Sequence, residues 1–260
     1  MINEVYGYSI IICTHKGSKY LEILYNSLIN NSDSRLDHEI IIIADDPSWE
    51  TIKYLQDNRI QYHITNLRCP YKAWNYGASL AQKDWLCFLV EDVYAAKGWD
   101  SGLLRWDQGS HNKGVWLSSL VEPNCDPDSP RVIRKDFGIS WQDFDKEGFD
   151  AFVEKESREE LDKEAWFTPF LIHRYWFLKD LGGFPTCEQF APTVREIFYQ
   201  KQFNRCKGGC GFDNRIKDIC KQKSYHIKNA RNSWFYHFMG GGYPCKDKRW
   251  YRGGFGKIDD

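Results

Sequence analysis

Between Tyr8 and Arg105, continuous apolar runs alternate with stretches of helical spacing, and this alternation restricts the fold more than any other feature of the chain. Ser9-Ile10-Ile11-Ile12-Cys13 and Glu39-Ile40-Ile41-Ile42-Ile43-Ala44 lack the polar alternation of a half-exposed strand, so each reads as a strand buried on both faces. Between them, Leu21, Leu24, Tyr25, Leu28 and Ile29 recur at helical spacing, and Asn30-Asn31-Ser32 closes the helix. The second strand ends at Asp45-Asp46-Pro47. There Asp46 can cap a helix whose first turn tolerates proline and whose buried face is Trp49, Ile52 and Leu55. A short strand around Ile60 to Ile64, a helix around Tyr71 to Ala81 and a strand from Trp85 to Val90 complete a β-α-β-α-β-α-β series. The expected class is α/β, with a mostly parallel, helix-covered central sheet and right-handed crossovers.

The second half is less regular. Gly114 to Val121 reads as another strand, Asn124 to Phe149 as irregular loop, and Asp150 to Glu164 as an exposed charged helix. Arg174 to Leu181 reads as a short helix stopped by Gly182-Gly183. A Gly/Cys loop, Cys206 to Gly211, precedes a helix over Asp213 to Lys221, and Ser224 to Lys228 and Trp234 to Phe238 read as two strand pieces. Trp141, Trp166, Trp176 and Trp234 read as core in preference to sugar platforms.

The Trp85 to Val90 run delivers two carboxylates, Glu91 and Asp92, at its C-terminal end, and Gly98-Trp99 then restarts the chain. Ligands bind at strand ends of open parallel sheets, where a crevice opens. Paired acids there suit a hard divalent cation, which in turn holds a diphosphate; the alternative is a solvated loop after a strand. A net charge of −1 gives no electrostatic case for nucleic acid or an anionic membrane as partner. The segment Met1 to Tyr6 carries no leader-like pattern, and no apolar stretch approaches the ~20 residues of a transmembrane helix. Nine scattered cysteines, two of them (Cys13, Cys87) inside apolar strands, fit reduced thiols and a cytoplasmic protein. Cys206, Cys210, Cys220 and His226 have only loosely zinc-like spacing, and free thiols are the preferred reading.

These segments together resemble an inverting glycosyltransferase of the GT-A fold, most similar to the large family-2 group. Ser9 to Thr14 with His15-Lys16 is similar to that family's first strand and the loop that begins the nucleotide site. Glu39 to Ser48 is similar to its second strand, which implies that Asp45 receives the nucleobase. Ala73-Trp74-Asn75-Tyr76-Gly77 resembles the Ala-Arg-Asn-x-Gly segment flanking the diphosphate, with Trp74 in place of arginine and Lys72 as a substitute cation. Leu89-Val90-Glu91-Asp92 through Gly98-Trp99 is similar to the metal-binding motif, with Val90 at its usual first acid and Asp92 as the implied metal ligand. Leu181-Gly182-Gly183-Phe184 looks like the turn near the acceptor site. Gly211-Phe212-Asp213-Asn214-Arg215 resembles the segment supplying the catalytic base, with Phe212 replacing Glu, so Asp213 carries that role. Trp234-Phe235-Tyr236-His237 resembles a strand ending in a histidine that reaches the metal or diphosphate. The resemblance implies a nucleotide-sugar and metal-binding half, residues 1–120, fused in one domain with an acceptor half, residues 121–260.

The implied reaction moves a sugar from a UDP-, GDP- or dTDP-sugar to a glycan or other hydroxyl acceptor, with Mn2+ or Mg2+ as cofactor. Asp213 would take the acceptor proton; Thr14, His15, Asp45, Lys72, Asn75, Glu91 and Asp92 would hold the donor; Asp92 and His237 would hold the metal. Each residue has a structural alternative. Asp45 can simply begin a turn, Asp213 can be an N-cap, and His237 can be a satisfied histidine among Phe235, Tyr236 and Phe238. Glu188 is a second candidate base, and the Gly240-Gly241-Gly242 tail with Lys246, Lys248, Arg249 and Arg252 is either a basic lid or a loose end. Competing functions are a catalytically inactive binding protein on the same fold, suggested by Val90 and Phe212, and a sugar nucleotidyltransferase, for which Cys13-Thr14-His15-Lys16-Gly17 is a poor Gly-rich loop.

Overall fold

A computed structural model describes residues 7–15, 17–106, 113–123, 132–162, 169–186 and 212–238. Strand β1 (Gly7–Thr14), helix α1 (Ser18–Asn31), β2 (Asp37–Asp45), α2 (Trp49–Asp57), β3 (Tyr62–Thr65), α3 (Pro70–Leu80) and β4 (Trp85–Val90) follow the alternation read from the sequence. Strand β1 pairs in parallel with β2, Ile10 opposite Ile40, and with β4, Ile10 opposite Cys87; β2 pairs in parallel with β3. Successive side chains of a strand face opposite sides of the sheet. Ile11, Cys13, Ile41, Ile43 and Phe88 therefore meet Tyr71, Trp74 and Ala78 of α3 on one face. Ile10, Ile12, Ile42 and Leu89 meet Leu21, Leu24 and Leu28 of α1 and Leu55 of α2 on the other. Both faces being covered explains why these runs are apolar without alternation.

Beyond β4 come β5 (Val93–Ala95), α4 (Trp99–Leu104), β6 (Gly114–Glu122), β7 (Ile133–Arg134), α5 (Lys146–Glu156), β8 (Leu161–Asp162) and β9 (Phe170–His173). A π-helical turn (Trp176–Leu181), α6 (Phe212–Gln222) and β10 (His226–His237) follow. The sheet order is β3-β2-β1-β4-β9-β6-β10-β5, with β7 on β6 and β8 on β10. Strand β9 is antiparallel to both neighbours, β4 and β6, while β6 and β10 run parallel. A third apolar cluster joins Tyr94, Val121, Phe137, Phe149, Trp234, Tyr236 and Phe238 beside α1.

Several local expectations shift. Leu55 is buried and Ile52 partly buried as expected, but Trp49 is 69% exposed and Thr51 is buried in its place. Ser48 caps α2, its hydroxyl accepting from the Thr51 N–H at 3.2 Å, while Asp46 turns through a left-handed φ of 55°. The charged helix begins earlier than Asp150, because Asp145 caps it by accepting from the Gly148 N–H at 2.9 Å, and it ends at Glu156. The stretch read as loop thus contains β7 and the start of α5. The short helix before Gly182 is wound as a π-turn. The two strand pieces near the C-terminal end are one strand, β10, carrying a bulge between Ala230 and Trp234. Trp234 is buried and Trp176 partly buried as expected, whereas Trp141 is 37% exposed; Trp166 lies outside the described residues.

Candidate active site at the carboxyl edge of the sheet

Strand direction gathers the candidate residues. Because β9 opposes both β4 and β6, strands β1, β2, β4, β6 and β10 all point the same way. Their C-terminal ends bring Thr14 and His15, Asp45, Glu91 and Asp92, Glu122 and His237 to one edge, where a crevice forms in open α/β sheets.

The two adjacent acids do different things there. Glu91 is buried and laces the end of β1 to the end of β4. It accepts from the Thr14 hydroxyl and, at 3.0 and 3.1 Å, from the His15 backbone N–H; His15 Nδ1 lies 3.4 Å from its Oε1. The side chain read as a direct donor contact thereby fixes the Thr14-His15 turn. Asp92 is also buried, and its carbonyl accepts from the Phe238 N–H at 2.9 Å, which brings the end of β10 against it. Asp92 Oδ2 is 3.4 Å from His237 Nε2, and His237 Nδ1 is 2.6 Å from Glu122 Oε1. Burial disfavours the charged imidazole, but the Asp92 and Glu122 carboxylates outweigh it and push His237 up to about 10. At neutral pH, without a metal, an imidazolium thus bridges two carboxylates. Glu122 was not singled out from the sequence. The signal was present, since it ends the apolar Gly114 to Val121 run as Glu91 and Asp92 follow the Trp85 to Val90 run.

Asp45 ends β2 with a buried carboxylate whose Oδ1 accepts from Thr65 Oγ1 at 3.1 Å and from the N–H groups of Leu67 and Arg68 at 2.7 and 3.1 Å. It thus holds the β3–α3 turn, which borders the same edge. Asn75 forms a reciprocal pair with the backbone of Phe184. Its Nδ2 donates to the carbonyl at 2.9 Å and its Oδ1 accepts from the N–H at 2.8 Å, so α3 is clamped to the Gly182-Gly183-Phe184 turn. Trp74, at the arginine position of the resembling motif, is core: it packs on Tyr71, Phe88 and Phe184 and donates to the Leu89 carbonyl at 3.2 Å. Lys72 is partly buried in the first turns of α3. Asp213 lies in the first turn of α6. Its side chain, Lys16, Glu188, Cys206, Cys210 and the tail from Gly240 to Arg252 lie outside the described residues. Cys220 is a buried free thiol and His226 is exposed, on the first residue of β10.

Among the described residues, no three His, Cys, Asp or Glu side chains form a closed metal cage. The fit is of another kind. Glu122 stands on the far side of the imidazole, so the donor set turned toward Asp92 is one carboxylate and one imidazole nitrogen. A cation that also binds substrate phosphates and keeps several waters needs no more from the protein.

The family model for glycosyl transferase family 2 matches residues 9–179. No curated protein matches the sequence. Among solved structures, residues 1–349 of TarS from S. aureus align with a TM-score of 0.55 at 15% identity, over 89% of this chain and 60% of that one. GalNAc-T7, solved with UDP, GalNAc and Mn2+, aligns with a TM-score of 0.61 at 16% identity, over 90% of this chain and 44% of that one. This chain therefore spans less than two thirds of the length of either. At such identity the likeness establishes the fold, which is GT-A. No helix among the described residues is long and apolar enough to cross a membrane.

Proposed function

The chain belongs to glycosyl transferase family 2, and on that premise we propose that it moves a sugar, with inversion, from a nucleotide-diphosphate donor to a hydroxyl acceptor. The observation that carries the reading is the Asp92–His237–Glu122 array at the carboxyl edge, two buried carboxylates with an imidazole between them. Asp92 and His237 would hold a divalent cation. The imidazole nitrogen favours Mn2+ over Mg2+, which takes oxygen ligands. When bound, such a cation neutralises the charge that develops on the departing diphosphate.

The remaining work falls to the chain itself. Glu91 holds Thr14 and His15 in the turn that would face the donor phosphates, where His15 and Lys72 would supply polar contacts. Asp45 orders the turn at Leu67 and Arg68 against which the base would lie, and Asn75 fixes the Gly182-Gly183-Phe184 turn on the acceptor side. Asp213 would accept the proton of the attacking hydroxyl, whose own pKa is far above neutrality. The N-terminal turn of a helix favours the charged form of a carboxylate, which suits that role. The buried free thiols Cys87 and Cys220 support a cytoplasmic setting for this reaction.

GalNAc-T7 was solved with UDP and Mn2+, which makes UDP-sugars with Mn2+ the first pair to test, followed by GDP- and dTDP-sugars. Incubation should release nucleoside diphosphate in a reaction stopped by EDTA. Release of pyrophosphate would point to nucleotidyl transfer, and tight binding without turnover to an inactive binding protein; either result overturns the proposal.

A further inference from the structure

We infer that Glu122 is a positioning residue for the cation site, setting the tautomer and orientation of His237 so that Nε2 is presented to the same cation as Asp92. The inference deepens the metal-dependent reading and rests on it. Its basis is geometric. Glu122 closes β6, and Tyr236 pairs with Val121 across the parallel β6–β10 ladder, so Glu122 and His237 follow in step at the same edge. The Glu122 carboxylate is buried, and its Oε1 lies 2.6 Å from His237 Nδ1. A carboxylate has no proton to give, so the bond requires Nδ1 to be the donor. In the neutral ring the lone pair then sits on Nε2, 3.4 Å from Asp92 Oδ2. In the metal-free imidazolium a proton occupies that gap, and a cation would take its place between the same two atoms. The edge is therefore wired for a cation from behind, by a residue that need not touch it. The same bond makes the imidazole more basic toward that cation, as carboxylates behind metal-bound histidines do.

Three variants test this: Glu122→Ala, Glu122→Gln and, as reference, His237→Ala. The backbone carbonyl of Glu122, which accepts from the Lys135 N–H at 3.0 Å, is retained in all of them. The measurements are Mn2+ affinity by electron paramagnetic resonance with UDP present, and the tautomer of His237 by nitrogen-15 NMR of the metal-free protein above pH 10, where the ring is neutral. Glu122→Ala should weaken Mn2+ by about 10–100-fold, the range for partners behind a ligand, and lose the Nδ1–H tautomer. Glu122→Gln, whose amide oxygen still accepts from Nδ1–H, should recover the tautomer and part of the affinity. Unchanged Mn2+ affinity and tautomer in Glu122→Ala, with wild type binding Mn2+, would overturn this inference alone. Failure of wild type itself to bind Mn2+ with UDP would remove the metal-dependent reading and this inference together. A purely structural role would lower the melting temperature of Glu122→Ala while leaving both readouts in place.

Discussion

Asp92 and Asp213 are asked for different things, and kinetics can separate them. Asp92→Asn keeps the shape of a buried side chain but removes the charge that would grip a cation, so nucleoside-diphosphate binding should lose its dependence on Mn2+. Asp213→Asn should leave that binding nearly intact and lower kcat by about 10²–10⁴, the usual worth of a general base. Isothermal titration with and without Mn2+, beside steady-state rates, reads both; equal small losses would contradict the assignment. His237 gives a second residue-level test, in metal-free protein. Its pKa rises from 6.5 to about 10 on folding, so the native state binds the proton more tightly. The resulting stabilisation is fully present below pH 6.5 and disappears as pH rises through 10. Urea unfolding in EDTA should show that decline, and His237→Gln should remove the part that belongs to this group. At this scale the sequence betrays residues that end apolar runs, such as Asp92. It conceals which of two adjacent acids faces a ligand, because that depends on Thr14 and His15, some 77 positions away along the chain from Glu91.

At the level of elements, the turn after the π-helical segment shows how a small backbone feature is locked. Gly182 and Gly183 both have positive φ, 76° and 85°. A Cβ on Gly182 would meet nothing within 4 Å, whereas one on Gly183 would lie 2.8 Å from Asn75 Oδ1. Gly182→Ala therefore incurs only the left-handed backbone penalty, about 1 kcal/mol. Gly183→Ala adds displacement of Asn75 and loss of its paired bonds to Phe184, for about 2–3 kcal/mol in all. Urea midpoints of the two variants should differ in that order, and equal midpoints would mean that the clamp contributes nothing. The turn was legible as a stop because glycine pairs end helices. The π-winding before it was not, since nothing in Trp176 to Leu181 distinguishes one winding from another. The bulge in β10 was hidden for a related reason. Asn232 and Ser233 fall between the two strand pieces read from the sequence, but neighbours satisfy their side chains: Trp106 Nε1 donates to Asn232 Oδ1 at 3.1 Å, and the Ser118 and Ser233 hydroxyls pair at 2.7 Å. Local composition cannot anticipate a partner supplied by another strand.

For the molecule as a whole, the order of strands decides how the first and second halves of the chain depend on each other. The parallel block β3-β2-β1-β4 was readable because β1, β2 and β4 each carry an apolar run and each crossover its own helix. Strand β9 is only four residues long, and it inserts from the second half between β4 and β6 of the first, with His173 opposite Trp85 and Phe170 opposite Leu117. Strand β10, also from the second half, then separates β6 from β5. Neither half owns a continuous sheet. Splitting the chain near residue 120 would strip β4 of one neighbour and leave β5 and β6 with none. The interleaving predicts a single cooperative unfolding transition, in which far-UV circular dichroism and tryptophan fluorescence give the same urea midpoint. Because the proposed cation site draws Asp92 from the first half and His237 from the second, a ligand there should shift the transition as one. UDP with Mn2+ at about a hundred times its Kd should stabilise the whole chain by about 2.7 kcal/mol. Two resolved transitions, with only the earlier or the later one moved by UDP and Mn2+, would show that the halves fold independently and that the shared sheet does not couple them.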